Sequence, residues 1–171
     1  FGTDIQKLGA MAAAGDWESG SGSVTDRDME DAYLARLLEG LTFGSYRIGW
    51  DAGNGAGGRI VERLAAILPG EHHLLFTDID GNFPNHHPDP TEEKNLEHLK
   101  ALVAEKNLDF GLAFDGDADR IGAVDAQGRV VWGDQLLSIL AEPVLKKLPG
   151  ATIIGDVKAS QMLYDRVAEL G

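Results

Sequence analysis

The stretch YRIGWDAGNGAGGRIVERLAAIL, residues 46–68, decides the fold. It begins as a short buried strand, turns through glycines and runs into a helix whose apolar face is Ile60, Val61, Leu64, Ile67 and Leu68. A strand handing over to a helix through a tight turn is half of a βαβ unit. The following residues supply the rest. HHLLFTDID (72–80) reads as a second strand, and GNFPNHHPDP (81–90) as a loop in which three prolines forbid regular structure. EEKNLEHLKALVAEKN (92–107) reads as a helix with Leu96, Leu99, Leu102 and Val103 inward, and DFGLAFDG (109–116) as a third strand. RIGAVDAQGRVVW (120–132) predicts a hairpin turning at Gln127-Gly128. The order βαβαβ plus a hairpin strand predicts an α/β, three-layer sandwich with a mixed, mostly parallel sheet, covered by helices on both faces.

Outward from this centre the pattern continues. GDQLLSILAEPVLKKL (133–148) reads as a helix bent near Pro143, with Asp134 as its cap. ATIIGDV (151–157) reads as a further strand and SQMLYDRVAEL (160–170) as a last helix. Upstream, DIQKLGAMAAA (4–14) reads as a helix and the Gly/Ser-rich GDWESGSGSV (15–24) as a linker. Thr25 or Asp26 then caps a helix with Tyr33, Leu34, Leu37, Leu38 and Leu41 on its apolar face. No solenoid-length repeat is present.

The bulk numbers set limits. With 171 residues, 43% hydrophobic and 25% charged, the chain can bury a sizeable core. A formal net charge of −13 argues against a general nucleic-acid binder or a partner of anionic membranes. There is no cysteine, which excludes disulfides and thiolate metal sites and fits a cytoplasmic setting. No stretch of 18 apolar residues and no signal peptide stand in the sequence. The first residue is Phe1 rather than Met, so the chain is expected to come from something longer.

Ligands of such sheets sit beyond the carboxyl ends of the strands. Three turns lie there. Gly53, Gly55 and Gly58 have the dinucleotide spacing, and Asp78 ends the next strand where a ribose-binding acid belongs. Asp51, however, would face the pyrophosphate, so the simpler reading is a tight turn that lets helix and strand approach. Asp78 and Asp80 imitate a phosphatase nucleophile motif of the haloacid dehalogenase type, but Asn82 stands where that motif needs Thr or Val. The third turn, DGDADR (115–120), starts like an EF-hand loop and then fails, with Arg120 at position six and Ala126 at position twelve.

What survives for DGDADR is a compact site for a hard metal. Asp115, Asp117 and Asp119 alternate with Gly116 and Ala118; side chains two apart point the same way in an extended or looped backbone, and the small spacers let the chain wrap so that three carboxylate oxygens converge on one ion. Like charges about 4 Å apart repel by about 4 kcal/mol at an effective dielectric near 20, so a merely solvated turn would splay. Three carboxylates suit Mg2+, with positions left for water and a substrate phosphate. His86 and His87 read as loop packing or exposed residues rather than ligands.

Taken together, FDGDADR, DAGNGAGG and DGNFPNHHPDP resemble the phosphomannomutase/phosphoglucomutase family, the α-D-phosphohexomutases, with GDWESGSGSV and IIGDVKAS in matching order. The resemblance covers almost the whole chain and corresponds to that family's second domain. It implies residues 1–25 as the tail of a preceding domain, 26–128 as a complete metal-binding middle domain and 129–171 as the start of a sugar-binding one. It implies phosphoryl transfer between a phosphoserine and a hexose phosphate, with Asp115, Asp117 and Asp119 as the Mg2+ ligands, Arg120 close to the transferring phosphate and Lys158 near the sugar. The family's Thr-Ala-Ser-His nucleophile motif is absent from these residues, as are its third-domain selecting loop and its fourth domain. The isolated chain is therefore expected to bind magnesium weakly and to lack turnover, with the other domains of the full-length chain as partners and no nucleic-acid or membrane partner. The alternatives are a dinucleotide-binding domain of an oxidoreductase, an Asp78-dependent phosphatase and a non-catalytic metal-binding module.

Overall fold

The computed structural model describes residues 2–42 and 44–171. By contact the chain divides into two units, residues 1–31 and 32–171. The first holds helix α1 (Thr3–Ala14), which ends at Gly15 in the left-handed conformation and buries none of its residues. Residues 15–29 have no regular structure, as the glycines and serines predict.

Helix α2 (Glu30–Leu38) starts later than Thr25 or Asp26 would place it. The capping oxygen is instead Asp28 Oδ1, which accepts the Glu30 N–H at 3.0 Å. Of its expected apolar face only Leu34 is buried; Tyr33 and Leu37 remain exposed and Leu41 lies beyond the helix.

The second unit is built on a five-stranded sheet in the order β2-β1-β3-β4-β5. β1 (Tyr46–Asp51) pairs in parallel with β2 (Gly70–Leu75) and with β3 (Phe110–Phe114). β4 (Ile121–Asp125) runs antiparallel to β3, and β5 (Val130–Val131) antiparallel to β4, so β4 alone opposes the common direction. This is the mixed, mostly parallel sheet that the sequence predicts. β2 stops at Leu75 rather than reaching Asp80, because Phe76 adopts a left-handed φ of 54° that no strand continues.

The crossovers explain the layers. From β1 the chain moves outward through α3 (Gly58–Ile67) to β2, then returns past β1 through a 3-10 turn (Glu93–Leu96) and α4 (Glu97–Lys106) to β3. Right-handed crossovers in opposite directions place their helices on opposite faces. The core divides accordingly. On the α3 face Ile48, Trp50 and Val61 pack with Phe110, Leu112 and Phe114. On the α4 face Leu96, Leu99, Val103 and Leu108 pack with Ala113 and Val124. The alternation along β3 thus sends large residues to α3 and small ones to α4. A Cβ on Gly111 would stand 2.7 Å from Leu99 Cδ1, so the glycine is what admits that leucine to the sheet.

Beyond β5, helix α5 (Gly133–Lys147) continues through Pro143 and is joined to α6 (Gln161–Leu170) by Arg166 Nη2 donating to Glu142 at 3.0 Å. Asp134 sits in the first turn of α5, one residue past its start, so it is not the cap residue. Its Oδ1 accepts the Gln135 N–H and its Oδ2 the Ser160 N–H. Residues 151–156 form no strand. An apolar run becomes a strand only when a neighbour completes its ladder, and none pairs with it among the described residues. No described helix is long and apolar enough to cross a membrane.

Candidate metal and phosphate site

β1 and β3 are adjacent and parallel, so the turns leaving their carboxyl ends meet. The β1 turn is the glycine-rich one. Ala56 donates its N–H to the Gly116 carbonyl at 2.9 Å, and a Cβ on Gly55 would lie 2.8 Å from that same oxygen. A Cβ on Gly58 would lie 2.0 Å from the Thr77 carbonyl oxygen. These glycines let the aspartate loop and the segment after β2 close down on the turn, which is the packing reading rather than the dinucleotide one. Asp78 is exposed, and its carbonyl accepts from Asn54 Nδ2; Asp80 turns its carboxylate onto the N–H and side-chain amide of Asn82.

The β3 turn carries the acids. Asp115 Oδ1 accepts the Arg120 N–H at 3.0 Å and the Asp115 carbonyl accepts the Ala118 N–H at 3.1 Å, with Ala118 itself at a left-handed φ of 60°. This coiled backbone brings one oxygen from each of Asp115, Asp117 and Asp119 within 4.8 Å of the others. Asp115 is 3% exposed, while Asp117 and Asp119 face solvent. Burial pushes the Asp115 carboxyl up, but the Arg120 backbone N–H and guanidinium outweigh it and hold the group below its ordinary range. The Asp119 carboxyl goes the other way, raised by the negative charges of Asp117 and then Asp115. The loop therefore holds more negative charge than Arg120 offsets. A set of three carboxylates, with neither nitrogen nor sulfur, fits a hard divalent cation.

Arg120 lies beside the acids. Its Nε donates to Asp115 Oδ2 at 2.8 Å and its Nη1 to Asp89 Oδ1 at 3.1 Å. No hydrogen bond from Nη2 is seen among the described residues, and the Arg120 side chain is about half exposed. Lys158 is elsewhere. It is exposed, in a cleft of about 660 Å3 between α5 and the 151–160 segment, lined by Thr91, Trp132, Asp134, Ile154 and Leu163 but by none of the three aspartates or Arg120.

Sequence reasoning missed two supporting features. Asp51, fully buried at the end of β1, accepts from Gly53 N and from His86 Nε2 at 3.0 Å. His86 Nδ1 faces the His87 carbonyl at 3.0 Å. Both ring nitrogens stand within hydrogen-bond distance of oxygen acceptors, an arrangement that favours the protonated ring beside Asp51. That hydrogen bond to Asp51 raises the His86 pKa above 6.5, against a smaller lowering by burial. The second feature is Asp89, held between Pro88 and Pro90. An acid between two prolines was visible in the sequence, but its partner 31 residues away was not.

Comparison with known proteins agrees with this geometry. Residues 31–128 match the family model described as "Phosphoglucomutase/phosphomannomutase, alpha/beta/alpha domain II". A phosphomannomutase/phosphoglucomutase of Pseudomonas syringae pv. tomato is 42% identical over 168 residues, covering 98% of this chain and 36% of that protein. A phosphoglucomutase of Neisseria meningitidis serogroup B is also 42% identical, over 98% of this chain and 35% of its own length. The chain thus spans about a third of the length of these relatives. Among solved structures, a phosphoglucomutase/phosphomannomutase family protein from Burkholderia thailandensis superposes with a TM-score of 0.94 at 41% identity, over all of this chain and 38% of that one.

Proposed function

The chain belongs to the phosphoglucomutase/phosphomannomutase family, and we propose that it serves as the Mg2+-binding middle domain of a phosphohexomutase. In this reading residues 26–128 are that domain, residues 1–25 the tail of a preceding one and residues 129–171 the start of a following sugar-binding one. The whole enzyme works in the cytoplasm and moves a phosphoryl group between C1 and C6 of a hexose phosphate through a phosphoserine outside these residues.

The observation that carries the proposal is the convergence of Asp115, Asp117 and Asp119 on a loop that the β1 glycine turn and Arg120 hold in place. These aspartates would hold the metal, which when bound supplies Lewis acidity and a fixed template for phosphoryl oxygens. Phosphoryl transfer is mainly positioning and charge stabilisation, and the chain's own residues provide both. Arg120 has two of its nitrogens anchored by Asp115 and Asp89, so its remaining Nη2 donors meet a phosphate oxygen in a preset orientation. Lys158, exposed in its open cleft, would supply a positive charge near the sugar.

The test is isomerisation of glucose 1-phosphate by this chain joined to the missing domains, with and without Mg2+. Turnover should need Mg2+ and fall on the order of 100-fold or more in Asp117→Asn. Undiminished turnover after chelation, or in that variant, contradicts the assignment.

A further inference from the structure

Arg120 hydrogen-bonds two acids at once, Asp115 and Asp89, with Asp119 Oδ1 farther off at 3.8 Å from its Nε, and the two close partners are differently placed. Asp115 is buried and takes Arg120 with both of its oxygens, the backbone N–H on Oδ1 and Nε on Oδ2. Asp89 Oδ1 accepts from Nη1 at 3.1 Å. An ion pair between two freely moving surface chains contributes little, because ordering them costs as much as the contact returns. Asp89 is ordered already. Pro88 and Pro90 on either side of it are buried. The Pro88 Cβ lies 2.9 Å from where a Cβ on Gly53 would stand, and the Pro90 Cβ 2.8 Å from the same point on Gly122, two residues past Arg120. Asp89 Oδ1 also accepts the Thr91 N–H at 3.1 Å and its hydroxyl at 2.7 Å, and the Asp89 carbonyl accepts from Asn95 Nδ2 at 2.9 Å. The proline-rich loop is thus a fixed wall beside the aspartate loop, with one carboxylate aimed at the arginine.

This arrangement meets a conflict inside the site. The guanidinium neutralises the same Asp115 carboxylate that a metal ion would use. Two cations on one carboxylate repel unless one of them has another anion to hold it. We propose that Asp89 is a positioning residue that gives the Arg120 guanidinium a second anion to hold it beside Asp115, so that a divalent cation and the arginine occupy the aspartate loop together. The inference rests on the metal reading of Asp115, Asp117 and Asp119 given above.

The test is titration of the 171-residue chain with Mn2+, followed by calorimetry and by the electron paramagnetic signal of the ion. The chains compared are wild type, Asp89→Asn, Arg120→Met and the double variant, each checked for its melting temperature. Asp89→Asn should weaken Mn2+ binding roughly tenfold. In the Arg120→Met background the same change should weaken it less than about twofold, because a residue acting through Arg120 has nothing left to act on. Asp89→Glu should recover part of the affinity. Thr91→Val, which removes only one lock on Asp89, should shift affinity in the same direction by less. Equal losses in both backgrounds, or no loss in Asp89→Asn while Asp117→Asn abolishes binding, overturn this role for Asp89 and leave the metal site standing. No Mn2+ uptake by wild type overturns both.

Discussion

Residues 110–120 and residues 151–158 look alike as sequence: FGLAFDGDADR and ATIIGDVK are each an apolar run ending in glycine, aspartate and a basic residue. Their structures differ. The first run is β3, paired with β1 on one side and β4 on the other, and it delivers Asp115 to a buried position. The second pairs with no strand among the described residues, leaving Ile154 85% and Val157 93% exposed and Lys158 in an open cleft. A charged residue at the end of an apolar run gains a defined position only from the ladder behind it and the loops beside it. The aspartate loop has both, whereas the lysine has neither.

Perturbing the turns packed at the ends of the paired strands and the unpaired 151–158 segment should expose that difference in order of size. The largest effect belongs to the clasp at the end of β1. His86→Ala leaves the Asp51 carboxylate buried without its His86 partner, and unfolding by denaturant near pH 6 should show a loss of roughly 3–5 kcal/mol. The pH dependence has a definite sign. The folded His86 pKa lies above the unfolded value of about 6.5, so the pair contributes fully below that pH and its contribution is lost as pH rises through the raised value. Wild type should therefore lose stability over that window relative to its value near pH 6, and His86→Ala should lack the slope. A matched pair of substitutions comes next. Gly58→Ala places a methyl against the Thr77 carbonyl and should cost roughly 1–3 kcal/mol, while Val157→Ser should change stability by no more than about 0.5 kcal/mol. If Val157→Ser cost as much as Gly58→Ala, the contrast between the regions would be wrong.

The same contrast explains what could be read from the sequence. The sheet was legible because periodicity and turn residues report local preference, and in residues 46–131 local preference and tertiary pairing agree except at 76–80, where left-handed Phe76 ends β2 early. The acid spacing in 115–120 was legible for the same reason, since Gly116 and Ala118 permit the coil that gathers the carboxylates. The strand expected at 151–157 was read from propensity alone, and its pairing is not met. The Asp89–Arg120 and Asp51–His86 contacts span 31 and 35 residues, and nothing in either local sequence names the other partner. The expected helix cap at Thr25 or Asp26 failed more simply, because Asp28 stands nearer the helix start and takes the role.

Crystals of the chain soaked in Mn2+ and measured at the manganese absorption edge test the central claim most directly. The account predicts one anomalous peak in contact with carboxylate oxygens of Asp115, Asp117 and Asp119, lost in Asp117→Asn. Absence of a peak there, with the three side chains turned apart, would contradict it.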